Sequence, residues 1–259
     1  MPTVSALRRY PVKGLDGVTV ETCALRAGGT LAGDREFALV DPDGRVLNAK
    51  DAATFHEVDA DYDPETTTLT VVGPDGDRAA FDLARDDDRD AAGEWFAAAL
   101  NLDCDARLAR DADAGFVDRG GAGPSVVSTA TLEAIADWFD ELTTAGVRRR
   151  LRANVEVGGV EPFWEDRFVG DDAPAFAVDG VRFEGATPCA RCVVPSRDPD
   201  TGESLAGFRE RFVDRRRETF PEFADRDAFD HLYALMLIAR VPAPAGATLA
   251  VGDAVDVVE

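Results

Sequence analysis

Short alternating runs, each closed by a Gly- or Pro-bearing turn, recur along this chain and limit what it can fold into. Residues 3–9, 18–24 and 36–40 read as strands, and "TTTLTVVGPDGDRAAFDLA" (66–84) reads as a hairpin turning at Pro-Asp-Gly. "NVEVGGV", "AFAVDGVRFEG" and "CVV" continue the series, and the tail "ATLAVGDAVDVVE" predicts two short strands about a Gly-Asp turn. Helical patterns are few. Residues 85–101 open with acids that suit a helix N-terminus. Residues 128–142 start at a Ser cap and carry Leu132, Ile135, Trp138, Phe139 and Leu142 at helical spacing. Residues 204–232 are charged and helix-like, and 232–241, "LYALMLIARV", fits a strand or a buried helix equally. The regular helix–strand rhythm of a doubly wound sheet is missing. The expected fold is therefore α+β, mainly β, with barrel-like sheets and a few helices. The Gly- and Asp-rich stretch 110–124 marks a boundary. It divides an N-terminal β-barrel-like domain, 1–115, from a second barrel-like domain, 116–259.

Charge narrows the partners. Asp and Glu number 50 against 28 Lys and Arg, a net charge of −22. Such a surface repels nucleic acid and anionic membranes. No apolar run approaches the roughly 20 residues of a bilayer span, and the N-terminus lacks the apolar stretch of a signal peptide. The expectation is a cytoplasmic protein suited to high salt, where screening within about 3 Å makes self-repulsion tolerable. Lysine occurs only at 13 and 50, so nearly all positive charge is arginine. Cysteines at 23, 104, 189 and 192 are too few for a disulfide scaffold in a chain of 259 residues. Two histidines, His56 and His231, leave little for a His-ligated metal or a His-based triad.

Two features carry chemistry. In "TPCARCVVPSRDPDTGE" (187–203), Cys189 and Cys192 flank Arg191. A structural zinc site wants a second ligand pair, and Cys23 and Cys104 are distant and single. A redox CxxC wants a helix after it, and Val-Val-Pro follows instead. Packing of two buried thiols is the plain alternative. What remains is one functional thiolate, with Arg191 and other cations nearby to stabilise it, suited to a soft or redox-active metal. In "VRRRLRAN" (147–154), read as a strand, alternation puts Arg150, Arg152 and Asn154 on one side and Arg149 on the other. Two guanidinium forks and an amide on one face suit a phosphate or an acceptor-rich heterocycle, although some of these arginines serve only as a solvated face. Lys13 in "YPVKGL" and Arg35 in "GDREFALVD" are single cations at strand ends.

Taken together and in this order, "YPVKGL", "GDREFALVD", "RLRANVEV", "CARCVVPSRDPDTGE" and "VGDAVDVVE" resemble the MOSC domain family with its N-terminal β-barrel companion domain, in particular molybdenum-cofactor proteins of the amidoxime-reducing type. The resemblance implies Cys192 as molybdenum ligand, with Cys189 its neighbour. It implies a molybdopterin-type molybdenum cofactor held by Lys13, Arg35, Arg152 and Asn154, with Arg150 beside them. Ser128 and Thr129 would take an anion at their helix N-terminus. Pyridoxal phosphate enters only as a second cofactor to consider. The implied reaction is a two-electron reduction of N-hydroxylated or N-oxidised small molecules. Electrons would come from a separate ferredoxin-like protein or flavoprotein. The alternative is a carrier of sulfur or cofactor, with a persulfide on Cys192 and no substrate turnover; a zinc-bound structural protein is a third reading. Gly14 stands where some relatives carry Ser, which removes one phosphate contact.

Overall fold

The computed structural model describes residues 1–118, 122–244 and 246–258. It shows an α+β protein that is mainly β, as expected. Its largest sheet has eight strands. Their order across the sheet is Val255–Val258, Ala175–Val178, Val181–Ala190, Ala234–Arg240, Ser125–Ser128, Val155–Gly158, Thr3–Arg9 and Val18–Val20. The apolar run at 232–241 is thus a central strand. It is buried along nearly its whole length between two antiparallel neighbours, so it shows no alternation. The hairpin joining 175–178 to 181–190 turns at Asp179 and Gly180, both with positive φ, as a two-residue type I′ turn requires.

A smaller sheet lies in the N-terminal half. Arg107–Arg110 and Val12–Lys13 flank Phe37–Val40, which also pairs with Val46–Leu47. Beside it the hairpin expected over 66–84 forms from Thr68–Val72 and Arg78–Asp82 and gains a third strand, Asp59–Asp63. Helix α1, Asp86–Ala99, covers this half with Ala92 and Phe96 inward and Asp86, Asp87 and Asp88 in its first turn. Phe37, Leu69, Leu83 and Phe96 belong to one buried cluster here.

The two halves are interlaced. Thr3–Arg9 pairs with Val155–Gly158, and Thr22–Ala24 pairs with Thr248–Ala250 near the other end of the chain. Strands from the first 24 residues therefore complete sheets of the C-terminal half, across the boundary expected near 115. The tail strands pair with separate partners and not with each other.

Two helices fill the crossover between the parallel strands 125–128 and 155–158. Helix α2, Thr129–Ala136, is capped by the Ser128 hydroxyl. Helix α3, Thr144–Leu151, is capped by Thr143 and buries Val147, Arg150 and Leu151. This overturns the strand reading of 147–152. The cap and the i, i+3, i+4 burial outweigh a period-2 pattern that helical residues can share. Helix α4 is shorter than the helix-like stretch suggested, Phe208–Glu218, and Pro221 follows three residues later. "CVV" is not a strand: the strand ends at Ala190, Val193 is exposed, and Val194–Ser196 is a 3-10 turn. Among the described residues the 110–124 stretch has no helix, and its only regular residue is Arg110, the end of strand Arg107–Arg110; 119–121 lie outside the described residues.

Candidate functional site

A cleft of about 220 Å³ opens where the two halves meet, lined from residues 13–59 on one side and 117–238 on the other. The N-terminal half supplies Lys13, Arg35 and Lys50. The C-terminal half supplies Arg149, Arg150, Arg152, Arg191 and Arg197. Against these eight cations the lining has four carboxylates, those of Asp16, Asp34, Asp59 and Asp118. In a chain of net charge −22 the cleft is a cationic island, which concentrates anions.

Both cysteines of the 189–192 pair line this cleft and both are half-buried. Cys192 sits in the loop after the 181–190 strand. Its carbonyl accepts a hydrogen bond from the Tyr233 hydroxyl at 3.2 Å, and its thiol has no hydrogen-bond partner among the described residues. Arg191 turns to the other sulfur: its guanidinium donates to Cys189 Sγ and to the Leu151 carbonyl, each at 3.2 Å. Cys189 also packs against an apolar cluster that includes Met236 and Leu151. Among the described residues no group of three or more His, Cys, Asp or Glu converges to hold a metal ion.

Arg152 is the cation best placed to attract a ligand. It ends α3 in the left-handed region, φ 60° and ψ 45°, which carries its side chain away from the helix and over Tyr10. Its guanidinium lies 4.2 Å from the Tyr10 ring centre, and no carboxylate is within ion-pair distance among the described residues. Burial lowers its pKa, the Tyr10 phenol opposes this, and Arg35 adds to it. Arg35, also at positive φ, stands 5.2 Å from the same ring and is ion-paired to Asp34. Burial disfavours its charge, but Asp34, the Tyr10 phenol and Asp118 together outweigh that and the pKa is raised. Tyr10 itself is fixed by its hydroxyl on the Ala153 carbonyl, 3.2 Å, and by its N–H on Asp34, 2.8 Å. Tyr10 was inside the "YPVKGL" motif, yet nothing local marks a ring that two distant arginines will share.

The other expected residues divide. Lys13 is at the cleft, donating to the Phe116 carbonyl and to Asp118. Gly14 has φ 101°, which disfavours any side chain there. Arg150 reaches the cleft but holds the "DPDTG" loop through the Arg197 carbonyl and Asp198. Arg149, expected on the opposite face, also lines the cleft and pairs with Asp16 and Asp200. Asn154 borders the cleft with its amide spent within the fold: its oxygen accepts from Ser125 N–H and Oγ, and its nitrogen donates to the Arg8 carbonyl. Ser128 and Thr129 do not line the cleft. The N-terminus of α2 is occupied by the Glu165 carboxyl group, whose Oε2 accepts from Ser128 N–H and Thr131 Oγ1.

Burial and the adjoining Asp166 carboxylate push the Glu165 pKa up to about 8. An acid raised in the folded state contributes stability below its unfolded pKa and loses it as pH rises through the folded value. Glu165→Gln keeps one oxygen acceptor and removes the titration. It is expected to stabilise the protein at pH 8.5 relative to wild type by at least about 1 kcal/mol, with no gain at pH 4.5. Urea midpoints at the two pH values measure this. A gain of equal size at both would refute it.

The MOSC N-terminal beta barrel domain model matches residues 1–145, and the MOSC domain model matches residues 118–256. This chain belongs to the MOSC family. Among curated proteins, molybdenum cofactor sulfurases of Caenorhabditis elegans and Caenorhabditis briggsae are 26% and 25% identical over 88% and 89% of this chain. The chain spans about a third of their length, 34% in each case. The mitochondrial amidoxime reducing component 2 of Bos taurus is 23% identical over 77% of this chain and 68% of its own. A solved structure, the YUAD protein from Bacillus subtilis, aligns over 99% of this chain and 96% of its own at 14% identity, with a TM-score of 0.40. The two sulfurases are named for the molybdenum cofactor. No helix among the described residues is long and apolar enough to cross a membrane.

Proposed function

We propose that the cleft binds a molybdopterin-type molybdenum cofactor and that the protein reduces N-hydroxylated or N-oxidised small molecules. One observation carries this reading. A half-buried thiol without a hydrogen-bond partner, Cys192, shares its cleft with an arginine that has no counter-ion among the described residues, Arg152, in a strongly acidic chain. The donor set fits the group. Buried Nε atoms of Arg150 and Arg191 and Nε2 of His56 have no partner among the described residues, which is costly unless a ligand satisfies them. Cys192 Sγ is a soft ligand for molybdenum. Lys13, Arg35 and Arg152 hold the anionic and acceptor-rich parts of the cofactor.

When bound, the metal supplies the two-electron chemistry. In the overall balance, an N-hydroxylated amine takes up two electrons and two protons and yields the parent amine and water; the N–O bond breaks, and the electrons come from a separate donor protein. The chain's own part is to fix the cofactor by charge, to keep Tyr10 and Arg152 stacked, and to present Cys192. Elemental analysis of protein from its native host, combined with turnover of an N-hydroxylated compound and an artificial electron donor, tests this. About one molybdenum per chain with turnover is the expected result. A persulfide on Cys192 with neither molybdenum nor turnover establishes the carrier reading, which the sulfurase relatives favour.

Arg152→Ala is expected to lower retained molybdenum by more than about tenfold, and Arg149→Ala by less than about threefold. Removing an unpaired guanidinium forfeits its whole attraction for an anion, whereas Arg149 is already neutralised by Asp16 and Asp200. Metal content of the two purified variants decides it, and equal losses would remove the special role given to Arg152.

A further inference from the structure

The chain has only two lysines, 37 positions apart in sequence, and both meet one carboxylate at the cleft. Lys13 Nζ donates to Asp118 Oδ1 at 2.7 Å, and Lys50 Nζ stands 3.4 Å from Asp118 Oδ2. Every other basic side chain in the sequence, the two histidines aside, is arginine. A lysine ammonium is a compact point charge that suits a phosphate without demanding bidentate geometry. A carboxylate held between two ammoniums has the charge and acceptor arrangement of such an anion.

We infer that Asp118 is an internal competitor for a phosphate subsite made by Lys13 and Lys50, and that ligand binding requires the phosphate to displace it. Lys50 thereby joins the binding surface, and Asp118 acts against affinity. Both roles rest on the reading of the cleft as a site for an anionic ligand.

Three features make the exchange workable. Asp118 is mainly exposed, with 61% of its side chain accessible, so its carboxylate swings into solvent without opening a core. The backbone leading to it is fixed independently, because Phe116 N–H donates to the Arg35 carbonyl at 2.7 Å. Lys13 keeps a second acceptor, the Phe116 carbonyl at 2.8 Å, which holds its ammonium at the cleft when Asp118 leaves. The carboxylate stays charged throughout: partial burial opposes ionisation, but hydrogen bonds and charge from Lys13 and Lys50 prevail and hold its pKa at about 2. It therefore competes at any physiological pH.

Inorganic pyrophosphate titrated into the full chain at fixed ionic strength tests the inference. Removing one negative charge in contact with the subsite is expected to tighten binding about tenfold in Asp118→Asn. Lys50→Gln is expected to weaken binding several-fold, and the double variant to return near wild type. Asp172→Asn, an exposed acid outside the cleft lining, controls for net charge and should change nothing. Wild-type binding that Asp118→Asn leaves unchanged, or that Asp172→Asn tightens equally, overturns the competitor role and leaves the anionic cleft standing. No pyrophosphate binding by wild type or Asp118→Asn overturns the anionic cleft itself and this inference with it.

Discussion

Cys192→Ser is expected to lower both retained molybdenum and reductive turnover by more than about a hundredfold, with no change in the thermal midpoint. Loss of groups that only orient a metal ligand costs about 10–100-fold, and loss of the ligand itself should exceed that. The fold should survive because Cys192 is half-buried and lies in a loop. The Tyr233 hydroxyl bonds to its carbonyl, which serine retains. Cys189→Ser should keep at least about a tenth of the activity, since Arg191 can donate to a serine oxygen as it does to sulfur. Metal analysis, steady-state rates and melting curves on the two variants give the answer. Equal losses in both would replace a single metal ligand with a paired-thiol mechanism.

Arg216→Leu is expected to destabilise the fold by about 3–5 kcal/mol, the largest stability effect among these predictions. Arg216 is fully buried and ion-paired to Asp166, which is also buried. Its guanidinium is packed at 4.4 Å from the Phe163 ring centre and 4.8 Å from that of Phe220. Leucine would leave the Asp166 carboxylate in an aromatic interior with no cation. Burial already raises the Asp166 pKa, and Arg216 is what opposes the rise. The double variant Arg216→Leu/Asp166→Leu should recover most of the loss, because the two charges are costly chiefly when separated. Urea unfolding of the single and double variants measures the coupling. An additive double variant would show that packing around residue 216, not the charge pair, holds this region.

What the sequence made legible depended on range. The α1 and α2 starts were readable because their signals are local: three acids in the first turn, and a Ser cap followed by apolar spacing. Leu132 and Ile135 are buried as that spacing implied; Trp138 and Phe139 are buried too, but α2 stops at Ala136, short of the expected 142, and they lie beyond its end. Cys192, Lys13, Arg35 and Arg152, each from a different motif, line one cleft. Residues 147–152 were misread because alternation of Arg and Leu satisfies either period over so few positions. The deciding signal, Thr143 with its hydroxyl on Gly146, lay just upstream. Ser128 and Thr129 looked like an anion site, but the group seated at that helix start is the Glu165 carboxyl, 37 positions from Ser128. Tyr10 beneath Arg152, and Asp118 between Lys13 and Lys50, are likewise contacts of long sequence separation. No window of sequence displays such pairs.

The cross-stitching of the first 24 residues into the distal sheets has a mechanical consequence. Strands 3–9 and 22–24 pair with strands of the C-terminal half, so the smaller sheet is bracketed by chain that is anchored in the opposite wall of the cleft. Scission of the backbone near position 116 should therefore leave both fragments clasped together, while deletion of the N-terminal strands should cripple the half that bears Cys192.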